Sequence, residues 1–167
     1  MDVLNCIMNA NKIFSFDQPK QMSAEDIKLL MSAGQLAPYI GNEAGIHLLA
    51  VGSRELIAQI ASHSAEYVAN ASLLVVSLAN IQVPGSALNS ILANHQIYLL
   101  ALSMQKAVEI VASFDELQLK PLLKIPEYFK ITSICAIGEK SPGKAARRKS
   151  EKLENLTSLD YFGSPLG

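Results

Sequence analysis

The middle of the chain contains a long segment without any formally charged side chain. Residues 67–105 hold no Asp, Glu, Lys or Arg over thirty-nine consecutive positions. Two strongly apolar runs, 73–76 and 97–102, lie inside this segment. Because apolar surface is driven out of water, we expect the segment to be buried in the folded protein.

The same segment does not have the pattern of a membrane span, which needs about 20 mostly apolar residues in a row. Polar side chains interrupt every window of that length: Asn70, Asn80, Gln82, Asn89, Asn94, His95 and Gln96. The segment therefore predicts a soluble core and no membrane contact. A long uncharged helix carries more apolar surface than one small domain can cover, so we expect a subunit interface and a homodimer.

Composition narrows the class of protein further. A chain of 167 residues with 50% hydrophobic and 17% charged side chains is expected to fold as one domain and not to be disordered. Fourteen basic residues against fifteen acidic ones leave a formal net charge of −1, which argues against nucleic-acid binding. Cys6 and Cys135 are too few for a disulfide framework, and the first eleven residues lack the basic flank of a signal peptide, so we expect a cytoplasmic protein.

Hydrophobic spacing predicts the order of helices and strands. Ser23, with Asp26 three residues later, predicts a helix start, and Pro38 predicts its end. The predicted helices span 2–11, 23–37, 53–62, 86–111 and 115–123, and the predicted strands span 47–51, 73–78 and 131–137. This order predicts an α+β fold in which helices cover a sheet.

Charge divides the chain at Gly138. The preceding residues include eight basic and eleven acidic side chains, whereas the rest include six basic and four acidic ones. We therefore predict a core domain over 1–138 and a basic C-terminal extension over 139–167.

Common catalytic signatures are not recognisable. The three histidines are too dispersed for a metal site, and we interpret His95 as a hydrogen-bonded core or interface residue and not as a catalyst. Nucleophile-elbow, Walker and Gly-x-Gly-x-x-Gly patterns do not occur, and Cys135 lies in an apolar strand where a thiol packs as a small hydrophobe.

Short motifs spread over nearly the whole chain resemble those of a single protein family. Residues 37–42 read Ala-Pro-Tyr-Ile-Gly-Asn at a helix end, and 47–55 supply a strand and turn. Phe16-Asp17 follows the first helix, Phe114-Asp115 follows the long one, and Ala136-Ile137-Gly138 ends the last strand. Together these resemble motifs of the nitroreductase family of FMN-dependent flavoproteins. The resemblance implies a homodimer on a long buried central helix, with each C-terminal extension reaching around the partner.

The resemblance also implies a flavin mononucleotide (FMN) and a set of residues that hold it. The family's Arg-x-Ser phosphate motif falls on Ala10-Asn11-Lys12, and its basic tail residue matches Arg148 best and Arg147 next. The backbone N–H of Ser113 would reach the flavin ring. The residues implied to bind FMN are Asn11, Lys12, Tyr39, Ile40, Asn42, Ala112, Ser113, Arg147 and Arg148.

The implied activity is an oxidoreductase that passes hydride from NAD(P)H through the flavin to a flat, electron-poor acceptor such as a nitroaromatic or a quinone. The flavin would carry the chemistry, so no catalytic side chain is expected. Lys12 would also stabilise negative charge on the reduced ring.

Three departures from the family pattern leave alternatives open. Ala10 stands where the family has arginine, 44–46 replace its Gln-Pro-Trp, and 105–107 replace its Gly-Leu-Gly. These departures are compatible with a non-catalytic binding or structural homodimer of the same fold, with weakened or lost FMN binding. They also leave room for an adaptor that binds partners through its basic tail. Without the resemblance, each signal has an ordinary interpretation. Lys12 would be a solvated surface lysine, Asn42 a turn residue, and 144–152 a solvated basic tail.

Overall fold

A computed structural model describes residues 3–8, 10–13, 15–142, 145–147 and 151–165, with backbone alone for residues 3, 11, 145 and 147. The helices are α1 (Val3–Met8), α2 (Ala24–Gln35), α3 (Arg54–Ser62), α4 (Ser86–Ser103), α5 (Glu116–Leu122) and α6 (Leu153–Leu156). The strands are β1 (Asn11–Ile13), β2 (Ile46–Val51), β3 (Leu73–Asn80), β4 (Ala107–Val111), β5 (Phe129–Gly138) and β6 (Ala145–Arg147). A 3₁₀ turn spans Glu66–Asn70.

The main sheet has four strands in the order β2-β3-β5-β4, and every neighbouring pair is antiparallel. β1 and β6 form a separate two-stranded antiparallel ribbon. The central strand β3 is buried along almost its whole length, which is the expected pattern for a strand covered on both faces. The α+β fold predicted from the order of elements is confirmed.

Helices cover both faces of the sheet, so there are two hydrophobic clusters. One face packs α3, the 3₁₀ turn and α5 around residues such as Leu74, Val76 and Ile134. The opposite face packs α2 and α4 against Val75 and Cys135, among others. Alternate residues of β3 and β5 therefore belong to different layers, as the two-residue period of a strand requires.

α2 packs unusually closely on the sheet and on α4 at Gly34. A Cβ at this position would lie 2.5 Å from Leu48 Cδ1 and 2.9 Å from Ile97 Cδ1. The helix begins where Ser23 predicts, because the Ser23 hydroxyl accepts a hydrogen bond from the backbone N–H of Asp26. This close contact fixes the loop that follows α2 relative to α4.

The long helix is shorter than the sequence pattern predicts. α4 ends at Ser103 and not near residue 111, and Gln105 adopts a left-handed φ of 61°. The sequence pattern predicts helix at Lys106 and Ile110, but Ala107–Val111 pairs with β5 as an edge strand. The spacing of 106 and 110 suits a helix, but Val108, Ile110 and Val111 are β-branched and find a partner strand in distant sequence.

The first predicted helix is also too long. α1 ends at Met8, and Asn11 belongs to β1. The partner of β1 is β6, more than a hundred residues away, so local periodicity carries no sign of this pairing. In the part of the chain that the structure describes, no helix combines the length and the apolarity needed to cross a membrane.

Candidate functional site

The β1–β6 ribbon lies against the free edge of β4. The backbone N–H of Ile13 donates a 2.9 Å hydrogen bond to Oε2 of Glu109, a β4 residue whose exposure is only 5%. Ile13 is buried and Lys12 is exposed, which follows from the alternation of side chains along a strand. Glu109 thus anchors the strand that presents Lys12 to solvent.

The ribbon brings together residues that the sequence separates widely. Its register pairs Asn11 with Arg147 and Lys12 with Ala146. Lys12 and Arg147 are therefore one position apart in the same ribbon, and the resemblance implied that both approach a phosphate. Arg148 lies outside the described residues.

The first part of the C-terminal extension returns to its own subunit. Lys106 Nζ and Glu139 Oε1 form an ion pair at 2.6 Å, and the backbone N–H of Asp17 donates to the carbonyl of Glu139 at 3.1 Å. Phe16 forms an isolated bridge with Lys140. These contacts hold the residues that follow β5 against the same subunit.

Ala112 and Ser113 follow β4 directly, and both are exposed. Among the described residues, neither makes a hydrogen bond, so the Ser113 N–H has no described acceptor. Ser113 lies four residues beyond Glu109, or about 13 Å along an extended chain. Ser113 thus lies about 13 Å along the chain from the point where Ile13 of the ribbon meets β4.

Tyr39, Ile40 and Asn42 lie elsewhere on the subunit. They belong to the loop between α2 and β2, which contacts the start of α4 through hydrogen bonds between Ile40 and Asn89. The far end of this loop meets the end of β3 where the Asn80 N–H donates to the carbonyl of Gly45.

The sheet register gives the distance between the α2–β2 loop and the ribbon that carries Lys12. Glu109 is level with Leu74, because each of them pairs with Ala136 of β5. Leu74 is six residues from Asn80 along β3, which is about 20 Å. One subunit therefore does not bring this loop to the ribbon that carries Lys12.

Two residues that organise this region, Glu109 and Asn89, are not among the residues that the family motifs indicate. Glu109 is the one charged residue within β4, and Asn89 is one of several polar residues in the uncharged segment. A single acidic residue inside an apolar strand is a usable signal, because it needs a buried partner. Asn89 gives no comparable signal, since its partners lie 45 and 49 residues away.

The buried thiol behind β4 has an altered acidity. Cys135 pairs with Ile110 of β4 and is completely buried. Burial in an apolar environment, and secondarily the nearby charge of Glu109, raises the pKa of the Cys135 thiol well above its ordinary value. The thiol is therefore inert near neutral pH, which argues against a nucleophilic role.

His95 is exposed on α4 and stacks on Tyr98 with ring centroids 6.0 Å apart. Across the described residues, no cluster of three or more His, Cys, Asp or Glu side chains has the arrangement of a metal site.

The donor chemistry of the ribbon edge fits a flavin mononucleotide. A phosphate is held by cationic side chains, and the exposed Lys12 supplies positive charge there. The N–H of Ser113, which has no described acceptor, is the type of donor that a ring nitrogen accepts from. Lys12 gives a point charge and not the two-pronged contact of the family's arginine, so a weaker phosphate contact is expected.

Comparison with known proteins gives structural matches only. Neither protein-family models nor curated protein sequences yield a match. A nitroreductase family protein from Clostridium novyi NT matches with a TM-score of 0.78 and 20% identity, over 99% of this chain and 97% of that one. An FMN-dependent nitroreductase from Clostridium difficile R20291 matches with a TM-score of 0.84 and 16% identity, over 95% and 99%.

A third structural match is with a longer protein of the same fold. The NfrA1 nitroreductase of B. subtilis gives a TM-score of 0.87 at 13% identity, covering 96% of this chain and 75% of that chain. Identities this low carry information about the fold and not about the site. The nitroreductase-like arrangement of sheet and helices within one chain is thereby confirmed, and the chain has the nitroreductase fold.

Proposed function

We propose that this protein is an FMN-dependent oxidoreductase of the nitroreductase type. The observation that carries the proposal is the β1–β6 ribbon, which holds the exposed Lys12 beside the edge of β4, with Arg147 at the adjacent register position. The fold supports the proposal, because structures with the same fold include an FMN-dependent nitroreductase. Hydride would come from NAD(P)H and pass to a flat, electron-poor acceptor.

In the proposed mechanism, the protein binds and orients. Bound FMN would supply reversible hydride acceptance at its ring. Lys12 would hold the phosphate by a charge-assisted contact, with Arg147 and Arg148 as further cationic candidates. The Ser113 N–H would donate to the ring edge, and Ala112 beside it has no side chain large enough to block the approach of a flat substrate.

We further propose that the functional unit is a homodimer. α4 exposes Leu88 and Ile91 at 47% and 51%, and α1 exposes Leu4 and Ile7 beside it. A groove of about 590 Å³, lined by residues that include Cys6, lies between α1, α2 and α4. An exposed apolar surface of this kind is typical of a subunit interface. A two-fold axis would bring the loop of one subunit towards the ribbon of the other, which one subunit alone does not achieve.

The proposed homodimer also involves the last part of the C-terminal extension, residues 151–165. The end of the described chain exposes several large apolar side chains: Leu153, Leu156, Leu159, Tyr161 and Phe162. We expect residues 151–165 to pack on the partner subunit, whereas Glu139, Lys140 and β6 contact their own subunit. The free thiols of Cys6 and Cys135 suit the reducing cytoplasm that we expect for the protein.

Flavin titration tests the function and separates the phosphate contact from the ring contact. Purified protein is titrated with FMN and with riboflavin, which lacks the phosphate, and binding is followed by flavin fluorescence. Lys12→Ala should weaken FMN binding by about 1–3 kcal/mol and leave riboflavin binding unchanged. The matched control is Lys28→Ala, which removes an exposed lysine from α2 and should change neither affinity.

Two outcomes contradict the proposal in different ways. A protein that binds neither flavin would support the non-catalytic homodimer of the same fold. Equal weakening of FMN and riboflavin in Lys12→Ala would remove Lys12 from the phosphate site.

Light scattering tests the dimer. The unsubstituted protein should have twice the mass of one chain, and Ile91→Asp should shift it towards a monomer. Leu117→Asp is the control, because Leu117 is also exposed but lies on α5, which packs on the opposite face of the sheet. A monomeric unsubstituted protein would overturn the shared site.

A further inference from the structure

The loop between α2 and β2 combines exposed apolar side chains with a fixed backbone. Tyr39 and Ile40 are 54% and 55% exposed. The Ile40 backbone is nevertheless held on both sides, since its N–H and its carbonyl both bond to the same side chain of α4. Exposed apolar residues on a restrained backbone are typical of a surface organised in advance for a ligand.

The side chain that holds the loop is Asn89, which is 1% exposed. Its Oδ1 accepts from the Ile40 N–H at 2.7 Å, and its Nδ2 donates to the carbonyls of Ile40 at 3.1 Å and Ala44 at 3.0 Å. One buried amide thus uses its oxygen and both of its N–H groups on the two ends of a five-residue segment. This exhausts its donors and satisfies loop groups that nothing else described holds.

The start of α4 is itself fixed to the sheet. Ser86 Oγ donates to the carbonyl of Asn80 at 2.7 Å, and the Asn80 N–H donates to Gly45 at 2.8 Å. Gly41 and Gly45 adopt φ values of 94° and 61°, which let the loop turn back to these partners. Asn89 therefore connects the loop to a rigid support.

We propose that Asn89 is a positioning residue that presents Tyr39, Ile40 and Asn42 to the ring of a flavin bound at the ribbon of the partner subunit. The inference rests on the proposed function. Asn89 does not touch the flavin; it acts through the loop. Its effect is therefore confined to the ring end of the ligand, and Lys12 acts at the phosphate end.

This division separates Asn89 from Lys12, whereas the spectrum of the bound flavin and the local amide exchange separate it from a general loss of stability. Asn89→Ala should weaken FMN and riboflavin by the same factor, on the order of tenfold, so that the ratio of the two affinities stays constant. The bound flavin's visible spectrum should shift, because the ring loses part of its surroundings. In the flavin-free protein, amide hydrogen exchange at Ile40 should become faster.

The matched control is Asn94→Ala on the same helix. Asn94 is also 1% exposed, but its Nδ2 donates to Ser133 on β5 and not to the loop. Asn94→Ala should lower the melting temperature while leaving both flavin affinities and the exchange rate at Ile40 unchanged.

Three outcomes overturn the inference. If Asn89→Ala binds both flavins as the unsubstituted protein does, the loop's position does not matter for binding, although the proposed function survives. If Asn89→Ala and Asn94→Ala weaken both flavins equally, the effect is general destabilisation. If the unsubstituted protein binds no flavin, the proposed function fails first, and this inference fails with it.

A second variant covers the case in which Asn89→Ala does not fold. Asn89→Asp has the same shape and keeps an oxygen for the Ile40 N–H while removing both donated bonds. It should weaken both flavins by a common factor, because a carboxylate oxygen would face the two carbonyls that Nδ2 holds, and unchanged affinities would overturn the inference.

Discussion

The two halves of α4 bury opposite kinds of side chain. In the first half the buried positions include Ser86, Asn89, Ser90 and Asn94, while Leu88 and Ile91 face outward. In the second half the buried positions are apolar: Ile97, Tyr98 and Ala101. The first half is therefore inverted relative to an ordinary surface helix.

The sheet surface under each half of α4 explains why the two halves bury different side chains. Under the second half, Val75, Cys135 and Ile137 supply an apolar surface. Under the first half, a β-bulge follows Ser77 and turns Thr132 towards the helix. The Thr132 hydroxyl there accepts a hydrogen bond from Ser90 Oγ at 2.9 Å. The sheet thus has a polar end and an apolar end, and one helix matches both. The lesson is that hydrophobicity alone does not tell which face of a helix is buried.

The largest expected effect comes from breaking the apolar half. Ile97→Ala removes a fully buried side chain that packs between α2 and the sheet, so the free energy of unfolding should fall by about 2–5 kcal/mol. Chemical denaturation measures this loss. A loss below about 1 kcal/mol would mean that the surrounding side chains collapse into the space.

The next effect comes from the polar half. Asn94→Ala leaves the Ser133 hydroxyl without the donor that reaches it at 2.5 Å, which should cost about 1–3 kcal/mol. A double-mutant cycle with Ser133→Ala should give a coupling of about 0.5–1.5 kcal/mol. Strictly additive changes would contradict a direct interaction between the two side chains.

A titration compares the two halves without altering the helix. The apolar half covers Cys135, whose thiol has a pKa raised by burial above the ordinary value of 9.0. Above pH 9 the unfolded thiol loses its proton while the folded one keeps it, so the unfolded state binds fewer protons and stability falls as pH rises. The expected slope is about 1.4 kcal/mol per pH unit.

Denaturation of the unsubstituted protein and of Cys135→Ala, at pH values on both sides of 9, isolates this contribution. The variant should lose the part of the slope that belongs to the thiol. Equal slopes would mean that Cys135 ionises as readily in the folded protein as in the unfolded chain.

The smallest effect on folding is expected on the outward face. Ile91→Gln changes a half-exposed side chain, so the unfolding free energy of a single subunit should change by about 0.5 kcal/mol or less. The measurement is made at protein concentrations low enough to dissociate any dimer. A loss as large as that of Ile97→Ala would show that Ile91 belongs to the subunit's own core.

Local chemistry predicts much of the fold. Ser23 begins α2 and Gly138 ends β5, and the predicted strands at 47–51 and 73–78 lie within β2 and β3. These elements are predictable because caps, turns and apolar alternation act between neighbours. The end of α4, the strand β4 and the ribbon β1–β6 are not, because each depends on pairing with distant residues.

The candidate site is less predictable than the fold, for the same reason. Motif likeness selects Lys12, Asn42 and Ser113 one by one, and their roles remain predictions. Their mutual placement depends on strand register, and the loop's fixation depends on Asn89, whose partners lie more than forty residues away.

By itself, the sequence determined the presence of a large buried segment, the starts of most helices and strands, and a likeness to one family of flavoproteins. These features depend on composition and on interactions over a few residues. Only the tertiary structure decided which face of α4 is buried, that 107–111 form a strand, and that Lys12 and Arg147 share a ribbon. Those outcomes depend on which distant surfaces meet when the chain packs, and side-chain hydrophobicity along a sequence does not contain that information.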